Sequence, residues 1–280
     1  DWIGYELARR LDIPYLLAEA SYTPSKAGGL WSEGHKQTKR CLDLSQVIFS
    51  LNPRDNPCLY PVLSERGRIV DLAPFIEPKS PPADLSVLRQ QLAQDYGLSD
   101  QIPWIAVVGM MRQGDKLASY RTLSEVLPDL SHLPWHCVVI GDGPAETEVK
   151  ELFEPISNRC LFTGRLPSEG VCEWLHGCDM FVWPSVNEAF GMGLLEATAA
   201  GLPSVVFDYG GVSRIVSNGF NGFVSPQGDT ESFTANIRTL MLDLQMRRKM
   251  SINADLKFRQ QHTLESASKT VGAIVEQFVS

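Results

Sequence analysis

Six short, nearly continuous apolar runs alternate with helix-length segments between residues 104 and 225, and this alternation narrows the fold more than any other feature. The runs are WIAVVGM (104–110), WHCVVIG (135–141), RCLFTG (159–164), DMFVWPS (179–185), PSVVFD (203–208) and GFVS (222–225). Helices are expected near 116–127, 145–154, 168–176 and 191–200. A strand with one face in water alternates apolar and polar residues. These runs do not alternate, so both faces are covered. Strands of this kind joined by helices predict an α/β fold with a parallel sheet between two helical layers.

The first eighty residues carry the same alternation more thinly. DWIGYELARRL reads as an amphipathic helix, IPYLLAEA as a strand, 33–44 as a helix, and QVIFSLN and RIVDLAPF as strands. IEPKSPPAD (76–84) holds three prolines and reads as a domain boundary, with a helix at 84–97 after it. An α/β domain usually opens on a strand, and this one opens on a helix, so the chain reads as beginning in mid-domain. The expected division is 1–83, 84–262, and a last helix in 263–280. Leu264, Val271, Ile274, Val275 and Phe278 give that helix an apolar stripe at helical spacing.

A formal net charge of -8 argues against a nucleic-acid-binding surface, though it leaves room for a local basic pocket. The six cysteines form no C-x-x-C pair and read as free thiols of a reducing compartment. No apolar run reaches the length of a membrane span, and the start lacks a signal-peptide pattern. A cytoplasmic location is expected.

Ligands of a doubly wound sheet sit beyond the carboxyl ends of its strands, so the loops there carry the chemistry. GMMRQGDK (109–116) turns at Gly114 into a helix and brings Arg112 and Lys116 close together. Cations beside a helix N-terminus make an anion site. GDGPAE (141–146) places Gly141 and Gly143 either for a tight turn or for close approach of a ligand. In WPSVNEAFGMGLLEATAAGLPSVV (183–206), Asn187 and Glu188 lie in a loop, Gly191 and Gly193 open a helix, and Glu196 lies on it. Glycines let backbone N–H groups face a ligand, and a carboxylate accepts hydrogen bonds from neighbouring hydroxyls. Two acids around an anion-binding turn suit a ligand with hydroxyls on both sides of a phosphate, such as a sugar nucleotide. DYGGVSRIV (208–216) opens a further short helix, and SNGFNGFVSP (217–226) reads as a hairpin-like connector.

Together these pieces resemble the retaining family 4 glycosyltransferases. VIGDGPAE, FTGRLPSEGVCEWLHGCDMFVWPS, NEAFGMGLLEATAAGLPSVV and GGVSRIVSNGFNGFVSP occur in that family's order over about 105–228, with its spacing of Glu, seven residues, Glu. The resemblance implies the GT-B fold, with two Rossmann-like domains of which the N-terminal, acceptor-side one is incomplete here. It implies that 84–262 binds a nucleotide diphosphate sugar and that the last helix crosses back to the N-terminal domain. The reaction implied is transfer of a hexose, with retention, to a carbohydrate, lipid-linked or small-molecule acceptor; peripheral membrane contact is compatible with the lipid-linked class. Glu188 would then bind hydroxyls of the transferred sugar, and Glu196 the ribose. The Phe190-Gly191-Met192 backbone would meet the diphosphate, and Lys116 with Arg112 would stabilise it on departure. Asn187, Gly141 and Gly143 complete the implied donor site.

The chain departs from the family pattern in two places. The usual phosphate loop is Gly-Arg, a few residues, then Lys-Gly; here Met110 follows Gly109 and the arginine comes later, as Arg112. Many members place a histidine after the strand that corresponds to 15–18, where this chain has Glu19, Ala20 and Ser21. The five histidines read as structural or surface groups. No D-x-D occurs, so neither a metal nor a cofactor is expected, with Lys116 and helix N-termini neutralising the diphosphate. Rival readings are a sugar-nucleotide epimerase or phosphorylase of the same fold, or a chain that binds sugar nucleotide without turnover.

Overall fold

The computed structural model describes residues 3–188 and 190–279; residues 1, 2 and 280 of the expected terminal segments, and Ala189, lie outside it. The chain folds as two compact units. Residues up to Pro74 group with those from Ala267 on, and Phe75–Ser266 form the larger unit.

The smaller unit contains α1 (Gly4–Leu11), β1 (Leu16–Ala18), α2 (Ser32–Leu44), β2 (Val47–Ser50), α3 (Asn56–Leu59) and β3 (Arg68–Asp71). Its strands are parallel in the order β1-β2-β3. All four residues of the central β2 are buried, and Ile48 packs with Leu42 and Leu59 into a small core.

The larger unit contains α4 (Leu85–Tyr96), β4 (Trp104–Val108), α5 (Asp115–Val126), β5 (His136–Ile140), α6 (Glu146–Leu152), β6 (Cys160–Gly164) and α7 (Ser168–Gly177). It continues with β7 (Met180–Trp183), α8 (Met192–Ala199), β8 (Ser204–Phe207), α9 (Val212–Ile215), β9 (Gly222–Ser225), α10 (Thr230–Leu242) and α11 (Leu244–Gln261). The last helix, α12 (Leu264–Val279), starts at the end of this unit, and its residues from Ala267 on belong to the smaller one.

All six strands are parallel, in the order β6-β5-β4-β7-β8-β9. The first three strands of the unit build outward to one side of β4, and the next three to the other. The direction therefore reverses between β4 and β7, which is where such sheets open a ligand crevice. The apolar runs are buried throughout: Trp104, Val138, Phe181 and Val205 are all fully inaccessible. Each large apolar side chain so buried contributes about 1.5–3 kcal/mol.

Local chemistry sets the helix ends. The Asp84 carboxylate accepts from the backbone N–H of Ser86 (2.9 Å) and Val87 (3.2 Å), capping α4, and Gly97 ends it in the left-handed conformation. Asp229 and Asp243 cap α10 and α11 in the same way. The proline-rich 76–84 segment packs within the larger unit: Ile76 N–H donates to the His262 carbonyl (3.0 Å), and Lys79 pairs with Glu169 (2.9 Å).

One local expectation differs from what forms. The stretch 217–226 is no hairpin, because Gly222–Ser225 pairs parallel with β8. The buried Asn221 side chain accepts from Ser217 N–H (2.7 Å) and donates to the Ile215 carbonyl (3.0 Å), satisfying the turn that feeds the strand. Along α12 the stripe is only partly covered: Leu264 and Val275 are exposed, and Ala267 is the buried residue.

Candidate functional site

The loops after β4 and β7 meet above the reversal point, across a cleft of about 590 Å³. Lys116, in the first turn of α5, forms an ion pair with Oε2 of Glu188, in the loop after β7. Both side chains are mostly withdrawn from water, at 19% and 14% exposure. The Trp183 indole N–H donates to the same Glu188 oxygen at 3.3 Å, and the Lys116 ammonium stands 5.3 Å from the Trp183 ring centroid.

The loop carrying Glu188 is held in a costly backbone shape. Ser185 and Asn187 both have positive φ, at 56° and 49°. Such a conformation persists only where surrounding bonds enforce it. Here Val186 N–H donates to Ser119 Oγ (3.0 Å), Asn187 Nδ2 to Asp115 (2.7 Å), and Glu188 N–H to the Ser185 carbonyl (3.2 Å). The Tyr209 hydroxyl donates to the other end of the Asn187 amide. Asn187 thus ties the loop to α5 and stands outside the residues that line the cleft.

Phe190, Gly191 and Met192 line the cleft at the start of α8, and Gly191 precedes the helix with φ 68°. The N–H groups of a helix's first turn have no partner within the helix, so this end attracts negative charge. One turn further on, Glu196 also lines the cleft and is half-buried. Burial raises its carboxyl from its ordinary value. The acids therefore flank the helix start from two sides.

The loop after β5 is zipped to the loop after β4. Gly109 N–H donates to Ile140 O (3.0 Å), Met111 N–H to Asp142 O (2.8 Å), and Ala145 N–H to Met111 O (2.8 Å). A Cβ on Gly141 would stand 2.2 Å from the Gly109 carbonyl oxygen, and one on Gly143 2.3 Å from that of Met111. Both residues also have positive φ. Gly141 lines the cleft; Gly143 packs on Met111 behind it. Changing Gly143 to alanine is expected to lower stability by about 1–3 kcal/mol or more, read as a fall in the thermal midpoint by circular dichroism.

Arg112 is exposed and stands outside the cleft lining. Its carbonyl accepts from Leu117 N–H (3.1 Å) ahead of α5, which directs the backbone inward at Lys116. The cation that lines the cleft alongside Lys116 is Arg165, directly after β6, with Leu166 and Val171 beyond it. The composition of the loop after β6 carries no ligand signal, although the strand-end rule applies to it as well. Among the described residues no cluster of three His, Cys, Asp or Glu could hold a metal ion, and no helix is long and apolar enough to cross a membrane.

A family model described as glycosyl transferases group 1 matches residues 106–257. The alpha-D-kanosaminyltransferase of Streptomyces kanamyceticus is 26% identical over 214 residues, covering 75% of this chain and 54% of that protein. The chain thus spans about half the length of that relative. Among solved structures, the sucrose-phosphate synthase of Thermosynechococcus elongatus superposes with a TM-score of 0.78 at 19% identity, over 99% of this chain and 70% of that one. The Alr3699/HepE protein of Anabaena, in complex with UDP and glucose, gives 0.75 at 16%, over 98% and 74%. At such identities the superpositions establish the fold, that of the two-unit GT-B proteins.

Proposed function

This chain belongs to the group 1 glycosyltransferases, and from that premise we propose that it transfers a hexose, with retention, from a nucleotide diphosphate sugar to an acceptor. The observation that carries the reading is the convergence of Lys116, Glu188, the start of α8 and Glu196 on one cleft. Glu188 accepts hydrogen bonds from hydroxyls of the transferred sugar, and Glu196 from those of the ribose. The diphosphate between them lies at the first turn of α8. When the bond from the anomeric carbon to the diphosphate breaks, the departing oxygen takes the electron pair. Negative charge then grows beside Lys116 and the α8 N–H groups, where fixed positive charge is most effective. An acceptor hydroxyl held on the face of the anomeric carbon that the diphosphate leaves forms the new glycosidic bond with retention and gives its proton to the departing phosphate oxygen, and this positioning supplies the rest of the rate. The kanosaminyltransferase relative and the neighbour that holds UDP and glucose support this class of donor.

The test is release of nucleoside diphosphate from a panel of UDP-, GDP- and ADP-hexoses incubated with the purified chain. Turnover of one donor that disappears with Lys116→Ala supports the reading. Binding is expected to need no metal: EDTA should leave the calorimetric affinity for the matching nucleoside diphosphate unchanged, and a strict need for magnesium or manganese contradicts this.

Glu196 makes that affinity pH-dependent. Its carboxyl is raised in the ligand-free fold because burial penalises the charged form. The ligand-free fold is therefore relatively stabilised at low pH and loses that contribution as pH rises through the raised value. Ribose hydroxyls donate to the ionised form, so affinity should fall on acidification through the raised value. Glu196→Gln should flatten that fall relative to wild type, and parallel profiles for the two proteins would contradict the assignment.

A further inference from the structure

We propose that Trp183 is a positioning residue: its indole N–H holds Glu188 in place when Lys116 turns from that carboxylate to the donor's diphosphate. The inference rests on the donor-site reading above. Trp183 ends β7 and is only 2% exposed, so it belongs to the floor of the cleft and not to its lining. Three contacts fix the ring. Tyr120 meets it edge-on, with centroids 5.1 Å apart and an interplanar angle of 80°, and the Tyr120 hydroxyl donates to the Gly109 carbonyl at 2.7 Å. Gly109 leaves the space that the indole fills, since a Cβ there would stand 3.0 Å from Trp183 Cη2. The third contact is the indole N–H to Glu188 Oε2, at 3.3 Å.

That oxygen has two donors, Lys116 and Trp183, and they have different freedom. The lysine ammonium ends a flexible stem and can swing, while the indole is locked by packing. The positive charge needed by a diphosphate is engaged with Glu188 in this structure. An anion that draws Lys116 away leaves a carboxylate only 14% exposed, and a buried acceptor without a donor is costly. The indole N–H remains and lowers that cost. It also keeps Oε2 occupied, so that Oε1 is the oxygen presented to a sugar hydroxyl. The indole face beneath the ammonium gives Lys116 a second favourable contact along its path.

The test is a double-mutant cycle read by calorimetric affinity for UDP, GDP or ADP, whichever wild type binds. Trp183→Phe keeps an aromatic ring and removes the N–H. It should weaken binding about tenfold in the wild-type background. In a Glu188→Ala background it should change affinity by less than about twofold, because no carboxylate remains to be held. An equal loss in both backgrounds would make Trp183 a packing residue and overturn the proposal. Failure of wild type to bind any of the three would overturn the donor-site reading itself, and this proposal with it. A second measurement does not depend on the tryptophan variant folding. In ¹⁵N-indole spectra, one N–H signal should shift in Glu188→Ala and stay protected from exchange in wild type saturated with the nucleotide. No indole signal responding to Glu188→Ala would also overturn the proposal.

Discussion

Replacing Glu188 with alanine is expected to abolish sugar transfer and to weaken the donor while sparing the free nucleoside diphosphate. In the proposed donor site Glu188 accepts from sugar hydroxyls, and only the donor carries a sugar. A hydrogen bond to a charged group contributes about 1.5–3 kcal/mol, so donor affinity should fall by about 10- to 100-fold. The free diphosphate has nothing to lose from Glu188. It gains, because Lys116 is no longer held by a carboxylate, and its affinity should stay level or rise. Calorimetry with the two ligands reads both effects, and circular dichroism checks the fold. Equal losses for the two ligands would remove Glu188 from the sugar site. The same change at Glu196 should weaken both ligands alike, since both carry the ribose.

Replacing Arg89 with alanine is expected to cost about 3–5 kcal/mol of stability without touching the cleft. Arg89, on α4, joins segments far apart in sequence. Its guanidinium donates to the carbonyls of Asp100 (3.1 Å), Ile102 (2.8 Å) and Gly177 (2.7 Å), and to Asp179 Oδ2 (3.0 Å). It also lies 4.4 Å from the Trp104 ring centroid. Asp179 in turn accepts from Trp104 N–H at 2.8 Å and pairs with Arg247 at 3.7 Å. Alanine leaves three carbonyls and a mostly buried carboxylate short of donors at the amino ends of β4 and β7. The thermal midpoint should fall by roughly 10 °C. Arg89→Lys keeps the charge and loses the planar fork, so it should recover only part of the loss. A midpoint unchanged by Arg89→Ala would show that α4 is held by its apolar contacts alone.

The larger unit was legible because its strands are buried on both faces, and continuous apolar runs such as WHCVVIG leave little else for them to be. The strand-end rule then pointed to the loops that bring Lys116, Glu188 and Glu196 to one cleft. What stayed hidden depends on the third dimension. Arg112 and Lys116 are four residues apart in one loop, and only the chain's path into α5 decides that one faces the cleft and the other water. Arg165 lies in a loop whose composition gives no cue, and it reaches the cleft because β6 pairs beside β5. Trp183 read as one more apolar residue at a strand end; its N–H matters only because the strained turn at 185–187 folds Glu188 back over it. Gly143 carried a signal of close approach, and the group the fold brings against it is the Met111 carbonyl. The connector at 217–226 misled because turn residues precede a parallel strand as readily as a hairpin, and the buried Asn221 amide decides between them.

The most direct test of this donor site is a crystal structure of the chain soaked with the nucleotide sugar it binds in solution. The diphosphate should lie at the first turn of α8 with Lys116 swung onto it, the ribose hydroxyls on Glu196 and the sugar hydroxyls on Glu188. A ligand bound away from this cleft, or bound in it with the sugar at Glu196 and the ribose at Glu188, would contradict it.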